Sequence, residues 1–266
     1  MGGATLLICC ERCCFLGRRL AAYFIVMRTD PDSKSREQQM PLLDAVLASV
    51  KPHTVLDVGC GCGHFAGSLG AHCTHIVAID PDLSLPPTWR GSRDGSTVRF
   101  CCMDGRALAF SDNTFSLVFA RDALHHTKGW TQVIDEMVRV SSKHVLIEEP
   151  IDDLRSVEKR NTFMAQDLLL ELQREVGFPH YRHLSSADVL SHIQTRATVA
   201  DTHIHRSDAR ISFEEFFRSF DHFVARSARE TYWRDRLKAF RSSLAIDEFC
   251  DDDRFLLVAT KGRAGA

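Results

Sequence analysis

Ten consecutive residues, VLDVGCGCGH at 55–64, limit the possible folds of this chain more than any other feature. Val55, Leu56 and Val58 make a short apolar run of the kind buried on both faces of a parallel sheet. Gly59, Gly61 and Gly63 follow at alternate positions, where the backbone turns tightly and another molecule can approach it closely. Residues 64–71 read as a helix, whose first free N–H groups face that loop. Strand, glycine loop and helix open an α/β fold.

The rest of the N-terminal half repeats the alternation. A helix is expected at 42–50, stopped by Pro52, and the first strand at 54–58. Further strands fall at 75–79, ending at Asp80, and at 97–102, 115–120 and 143–147, with a helix at 129–140. Short apolar strands alternating with helices predict a doubly wound, mostly parallel sheet. Residues 81–95 are rich in Pro, Ser and Gly and read as loop, so a helix after the second strand is eroded.

After Pro150 the pattern becomes helical. One long helix is expected at 153–176, and a second opens at the capping box Ser185-x-x-Asp188. Residues 197–205 alternate as a strand. Ser212-x-x-Glu215 opens a helical pair reaching about 244, and residues 255–259 form the last strand. Phe213, Phe216, Phe217, Phe220 and Phe223 recur at helical spacing. Such a stripe packs a cap on the domain, or lends one or two rings to an apolar pocket. The acids Asp247, Glu248, Asp251, Asp252 and Asp253 read as a solvated turn.

Bulk properties exclude several classes. The chain has 266 residues, 44% hydrophobic, with formal net charge -2, which disfavours nucleic acid or an anionic membrane as a general partner. No apolar run approaches the ~20 residues of a membrane span. The 10 cysteines are scattered, which argues for a reducing compartment rather than a disulfide scaffold. Cys10 and Cys13 form one CxxC with no partner pair at zinc-ribbon spacing, so no metal site is expected. Residues 1–34 read as a flexible or targeting leader, since Arg12, Arg18, Arg19 and Arg28 face the single acid Glu11 in the first 28. Cytoplasmic placement is expected, with a mitochondrial alternative through that weak transit-like segment.

Glycines alone do not name a ligand, because Gly61-x-Gly63-x-x-Ala66 also fits the looser dinucleotide pattern. Three carboxylates discriminate. Asp57 ends the first strand, where it would repel a pyrophosphate and accept hydrogen bonds from a cationic amino-acid moiety. Asp80 stands where it accepts both ribose hydroxyls, and Asp104 where it accepts from an adenine amino group. Together they favour a nucleoside that carries a positive charge and no phosphate.

The segments VLDVGCGCGHF, VAIDPD, CCMDGRALAFSDNTFSLVFARDALHHT and WTQVIDEMVRVSSKHVLIEEP, spread over about residues 53–150, resemble the class I S-adenosylmethionine-dependent methyltransferases, in particular the type 11 small-molecule group. The resemblance implies a Rossmann-like seven-stranded sheet whose last strand runs antiparallel, inserted between the fifth and sixth. It makes 35–266 one methyltransferase domain with cap helices at about 153–194 and 212–245. It implies that S-adenosylmethionine is bound by Asp57, Gly59, Cys60, Gly61 and Gly63 at the methionine end, by Asp80 at the ribose, and by Met103 and Asp104 at the adenine. Ala120, Arg121 and His125 would line the cleft.

Methyl transfer from a sulfonium needs alignment and exclusion of water, not a fixed catalytic residue type. His125, His126 and Glu149 are the candidates for a direct role, because they follow strands four and five at their carboxyl ends, where such sheets bind ligands. Glu148 is their neighbour, and His180, Tyr181 and His183 lie between two cap helices. The plainer reading of each is a hydrogen-bonded histidine or a solvated acid. The expected partner is a small-molecule acceptor. The cap segments 153–194 and 212–245 are expected to form a lid that selects it. The alternatives are an NAD-dependent oxidoreductase and a non-catalytic binding or scaffold protein.

Overall fold

The computed structural model describes residues 40–61, 63–69, 72–83 and 97–262. The expected leader, Cys62 and the eroded stretch within 81–95 from residue 84 onward lie outside the described residues. Helix α1 (Met40–Val50) precedes β1 (Thr54–Val58), α2 (His64–Leu69), β2 (His75–Asp80), β3 (Thr97–Cys102) and β4 (Phe115–Arg121). A single 3-10 turn at Leu124–His126 leads to α3 (Trp130–Val140) and β5 (Ser141–Ile151). Then come α4 (Val157–Glu175), α5 (Ser186–Gln194) and β6 (Thr198–His205). The last part holds β7 (Arg210–Ser212), α6 (Phe213–Phe216), α7 (Phe220–Val224), α8 (Glu230–Ser243), β8 (Glu248–Cys250) and β9 (Asp253–Thr260).

Seven strands form one sheet in the order β3-β2-β1-β4-β5-β9-β6. β1 pairs in parallel with β2 and β4, so the strand order reverses between them and opens a crevice at their carboxyl ends. β9 runs antiparallel to both β5 and β6, inserted between them as the resemblance implied. Alternation along the strands sorts the core into two layers. Val55, Leu117, Phe119 and Leu146 pack with Leu43, Leu47 and Leu69 on the α1/α2 face. Leu56, Val118, Val145 and Ile147 pack with Ile134, Met137, Val189 and Ile193 on the α3/α5 face.

The cap has an apolar core of its own. Leu168, Leu169 and Leu172 of α4 meet Phe213, Phe217, Phe220, Phe223, Trp233 and Phe249. The phenylalanine stripe is therefore packing, with Phe216 only partly buried at its edge. Three local expectations change. The helical pair after Ser212 is three helices, with Ser212 capping the first through Glu215 N–H at 3.2 Å. The long helix starts at Val157 rather than 153, because Ser156 caps it by accepting from Lys159 N–H at 3.2 Å. The acid cluster is not a solvated turn. Residues 248–250 pair with β7, and Asp253 is 1% exposed. Its carboxylate accepts from Lys159 Nζ at 2.6 Å, Ser207 N–H at 3.1 Å, Arg155 at 3.1 Å and Arg206 at 3.2 Å. Charge in a run of acids cannot reveal a buried lysine 94 residues away.

Candidate active site

The glycine loop sits at the crevice. Gly59, Gly61 and Gly63 have φ of 78°, 52° and 79°, the left-handed region that other residues avoid. Gly59 is also sterically committed, since a Cβ there would stand 2.4 Å from the Ala123 Cβ. Gly59 and Cys60 donate their N–H groups to the Ile79 carbonyl at 2.8 and 2.9 Å, fastening the loop to the end of β2. Asp80 finishes the job: one carboxylate oxygen accepts from Gly61 N–H and the other from Asp82 N–H, both at 2.8 Å. Asp57 and Asp80 are both buried beside this bare backbone. Two carboxylates, positive-φ glycines and no basic side chain in the described loop fit a nucleoside bearing a cation. They do not fit a pyrophosphate.

Met103 follows β3, its N–H donating to the Asp80 carbonyl at 3.1 Å, which places the expected adenine residues next to the expected ribose residue. Asp104 is half exposed. It accepts from Arg106 N–H at 2.9 Å and pairs with the Arg106 guanidinium, whose hydrogen bond holds its carboxyl below the usual range. Ala120 is fully buried near the end of β4. All the expected cofactor residues thus lie in the last residues of β1, β2 and β4 or in the loops that follow β1 and β3.

The three expected catalytic candidates come together. His125 Nδ1 and Glu149 Oε2 are 2.6 Å apart, in side chains 6% and 1% exposed. Glu149 Oε1 accepts from both Ala123 N–H and Leu124 N–H at 2.8 Å. Burial opposes the Glu149 charge, but His125 and these donors outweigh it and hold the carboxyl below its ordinary value. An ionised carboxylate only accepts, so Nδ1 of His125 carries the proton that faces Glu149. His126 Nδ1 donates to the Pro179 carbonyl at 2.8 Å. Burial and the neighbouring His125 push the His126 imidazole down to about 4.

A third segment joins them. Gly177, with φ 76°, ends α4, and Phe178 N–H returns to the Gln173 carbonyl at 2.8 Å. That turn sends residues 179–181 over the 3-10 turn, where Tyr181 N–H donates to the His125 carbonyl at 3.0 Å. His180 Nδ1 meets Gln173 Oε1 at 2.7 Å. The His180 ring stacks on His126, centroids 4.6 Å apart, and its pKa is lowered by burial and by His126 and His125. His183 lies 2.9 Å from an Asp152 oxygen; burial opposes its charge, but Asp252 and Asp152 raise its pKa.

Glu148, the neighbour of these candidates, is engaged by two arginines. It accepts from Arg254 Nε at 2.7 Å and lies 3.3 Å from Arg121 Nε. Asp122, at φ 51°, accepts from Arg254 at 2.5 Å. Burial disfavours its charge, yet Arg254 and Arg121 hold its carboxyl far below the usual range. Arg121 also lies over the Phe65 ring at 5.1 Å, so its guanidinium is engaged inside the protein. Arg254, Gln173 and Pro179 were invisible in the sequence. Arg254 and Asp122 are 132 residues apart, and only sheet pairing between β5 and β9 joins them.

Residues 56–146 match the family described as a methyltransferase domain. The uncharacterized methyltransferase YcgJ of Bacillus subtilis is 25% identical over 112 residues, 38% of this chain and 44% of that protein. Its crystal structure has TM-score 0.58 to this fold at 17% identity, covering 84% of this chain and 98% of that one. An uncharacterized methyltransferase of Mycolicibacterium gilvum is 30% identical over 136 residues, 46% of this chain and 51% of the relative. The N-methyltransferase NodS of Bradyrhizobium japonicum, solved with S-adenosylhomocysteine, has TM-score 0.52 at 15% identity, covering 89% of this chain and 91% of that one. The chain spans about half the length of the curated relatives it matches. Residues 56–146 thus resemble a methyltransferase domain, and the seven-stranded sheet shares its fold with these solved methyltransferases.

Proposed function

We propose that the protein transfers a methyl group from S-adenosylmethionine to a small-molecule acceptor. The observation that carries this is the contact between Gly59 of the cofactor loop and Ala123, the residue whose N–H is held by Glu149. It joins the donor side and the His125–Glu149 pair in one rigid unit. Asp57, Gly59, Cys60, Gly61 and Gly63 would hold the methionine end, Asp80 the ribose, and Met103 and Asp104 the adenine, beside Ala120. NodS with S-adenosylhomocysteine supports a cofactor of this type on such a sheet.

When bound, the cofactor supplies an already activated methyl group. The chain aligns the acceptor with it and excludes water. On the acceptor side, the His125 ring borders the acceptor and Glu149 is the positioning residue that fixes the ring. The segments 153–194 and 212–245 act as the lid that selects the acceptor; the separate apolar core that joins α4 to Phe213, Phe217, Phe220, Phe223 and Trp233 supports this reading, while α5 packs on the sheet. Among the described residues no helix is long and apolar enough to cross a membrane. The scattered cysteines of the sequence favour a reducing, cytoplasmic setting.

Calorimetric titration with S-adenosylhomocysteine and, separately, with NAD tests the donor. Micromolar binding of the former, lost in Asp80→Ala, with none for NAD, is expected. NAD binding alone would replace the reading with an oxidoreductase. Binding of neither would favour a scaffold.

A further inference from the structure

We propose that His125, His126 and His180 form a site for one divalent transition-metal ion of the zinc class. The inference rests on the reading above only in calling this the acceptor side of the cleft.

One ring nitrogen from each of the three histidines lies within 4.8 Å of the others. The ring centroids are 4.4 Å apart for His125 and His126, 4.6 Å for His126 and His180, and 5.1 Å for His125 and His180. Tetrahedral zinc with nitrogen bonds of 2.0–2.1 Å needs its ligand atoms about 3.3 Å apart, so modest side-chain rotations suffice.

The hydrogen bonds on the far side of each ring matter more than the proximity. The Nδ1 atoms of His125, His126 and His180 each face an oxygen acceptor: Glu149 Oε2 at 2.6 Å, the Pro179 carbonyl at 2.8 Å and Gln173 Oε1 at 2.7 Å. Each acceptor holds a proton on Nδ1 and leaves Nε2 with the lone pair in the neutral ring. Metal-bound histidines are oriented in this way, with a carboxylate, a backbone carbonyl or a water behind the ring; the Gln173 amide oxygen takes that place behind His180. A packing role requires three rings in contact. It does not require all three to present the same tautomer.

The backbone is also set in advance. Tyr181 N–H to the His125 carbonyl and His126 Nδ1 to the Pro179 carbonyl cross-link the two segments that carry the ligands, so little ordering remains to be done on binding. Three imidazoles select zinc, copper, iron or nickel over magnesium or calcium, which take oxygen ligands. His183, with centroid 5.7 Å from His125, stays outside the set because its Nδ1 lies 2.9 Å from Asp152 and its Nε2 3.9 Å from Asp252. His126 and His180 are not fully buried, which gives an ion a way in. Three protein ligands leave a fourth position for water or for the acceptor's heteroatom. An acceptor hydroxyl or thiol bound there loses its proton to solvent at lower pH than it does free.

The test uses the full chain without an affinity tag, stripped with chelator and dialysed, and no cofactor. Zinc is titrated calorimetrically and cobalt(II) by visible absorption. One ion per chain, with the ligand-field bands of a tetrahedral cobalt site, is expected. His126→Gln and His180→Gln should each abolish it, and Gln173→Leu should weaken it by about 10- to 100-fold. His183→Gln should leave it intact. Circular dichroism checks the fold of each variant, and Gln173→Leu keeps the test open if a histidine variant does not fold. No bound ion in the wild type, or equal affinity in the folded variants, overturns the site. Metal without S-adenosylhomocysteine binding would keep the site and sink the donor reading; the reverse would sink the site alone.

Discussion

His125 Nδ1 stands 2.6 Å from Glu149 Oε2, and the other oxygen of the same carboxylate takes the N–H groups of Ala123 and Leu124 at 2.8 Å each. One buried side chain from the end of β5 therefore orients the imidazole and also pins the turn that bears it. Because Ala123 packs on Gly59, the same carboxylate sets the distance between the imidazole and the glycine loop.

Glu149→Gln should keep the shape of this unit and change its protonation. An amide N–H facing the ring moves the proton to Nε2 and the lone pair to Nδ1. Methyl transfer should fall by roughly 100- to 10,000-fold in kcat, with KM and S-adenosylhomocysteine affinity unchanged. Glu149→Ala should in addition lose stability, about 1–3 kcal/mol for each backbone N–H left without its acceptor. Equal turnover in Glu149→Gln and wild type would remove the pair from the reaction.

Gly59→Ala should abolish S-adenosylhomocysteine binding and lower Tm. The left-handed backbone costs about 1–2 kcal/mol with a side chain, and the new Cβ would lie 2.4 Å from that of Ala123. Adding Ala123→Gly should remove the collision but not the backbone strain. The double variant should thus recover part of the Tm loss, measured by thermal unfolding; full recovery would show that φ at this position is immaterial.

The metal-free protein should lose stability as pH falls from about 6.5 to about 4. The folded His126 has its pKa lowered to about 4 from 6.5, so over that window the unfolded chain binds more protons and unfolding is favoured. Above pH 6.5 this group contributes no slope. Denaturant titrations at several pH values should show the decline, and His126→Gln should make it shallower, His180 contributing to the remainder. An unchanged slope in the variant would assign the decline to other groups.

Asp253→Ala should be among the most destabilising surface-distant changes in the chain, about 3–5 kcal/mol, because it strands the buried Lys159 ammonium. Lys159→Met with Asp253→Leu should cost much less, since both charges leave together. Urea unfolding of the three proteins measures the difference; near-equal losses for single and double variants would show that packing, not charge, dominates there.

Local sequence carries those features that depend on neighbours in the chain. The apolar runs at 55–58 and 115–120 became β1 and β4, and the capping serines 185 and 212 opened α5 and α6. The three-glycine loop could be recognised because positive φ selects glycine whatever the tertiary context. His125, His126 and Glu149 could be named because chain position alone puts them at the carboxyl ends of parallel strands.

What only the tertiary structure decided is pairing at a distance. That Glu149 binds His125, that Gln173 and Pro179 orient His180 and His126, and that Glu148 serves Arg254 and Arg121 all follow from strand register and one helix-ending turn. A histidine in a sequence has two tautomers and no partner; folding supplies the acceptor that chooses between them. The acid run at 247–253 shows the same limit from the other side. Its composition suggests water, but once β9 is laid beside β5 and β6, Asp253 lies next to Lys159 and is closed off from solvent. The sequence by itself determined the sheet and the glycine loop, because both are written in local periodicity. The histidine cluster was decided by the fold, because its side chains acquire partners, protonation and charge only when distant strands meet.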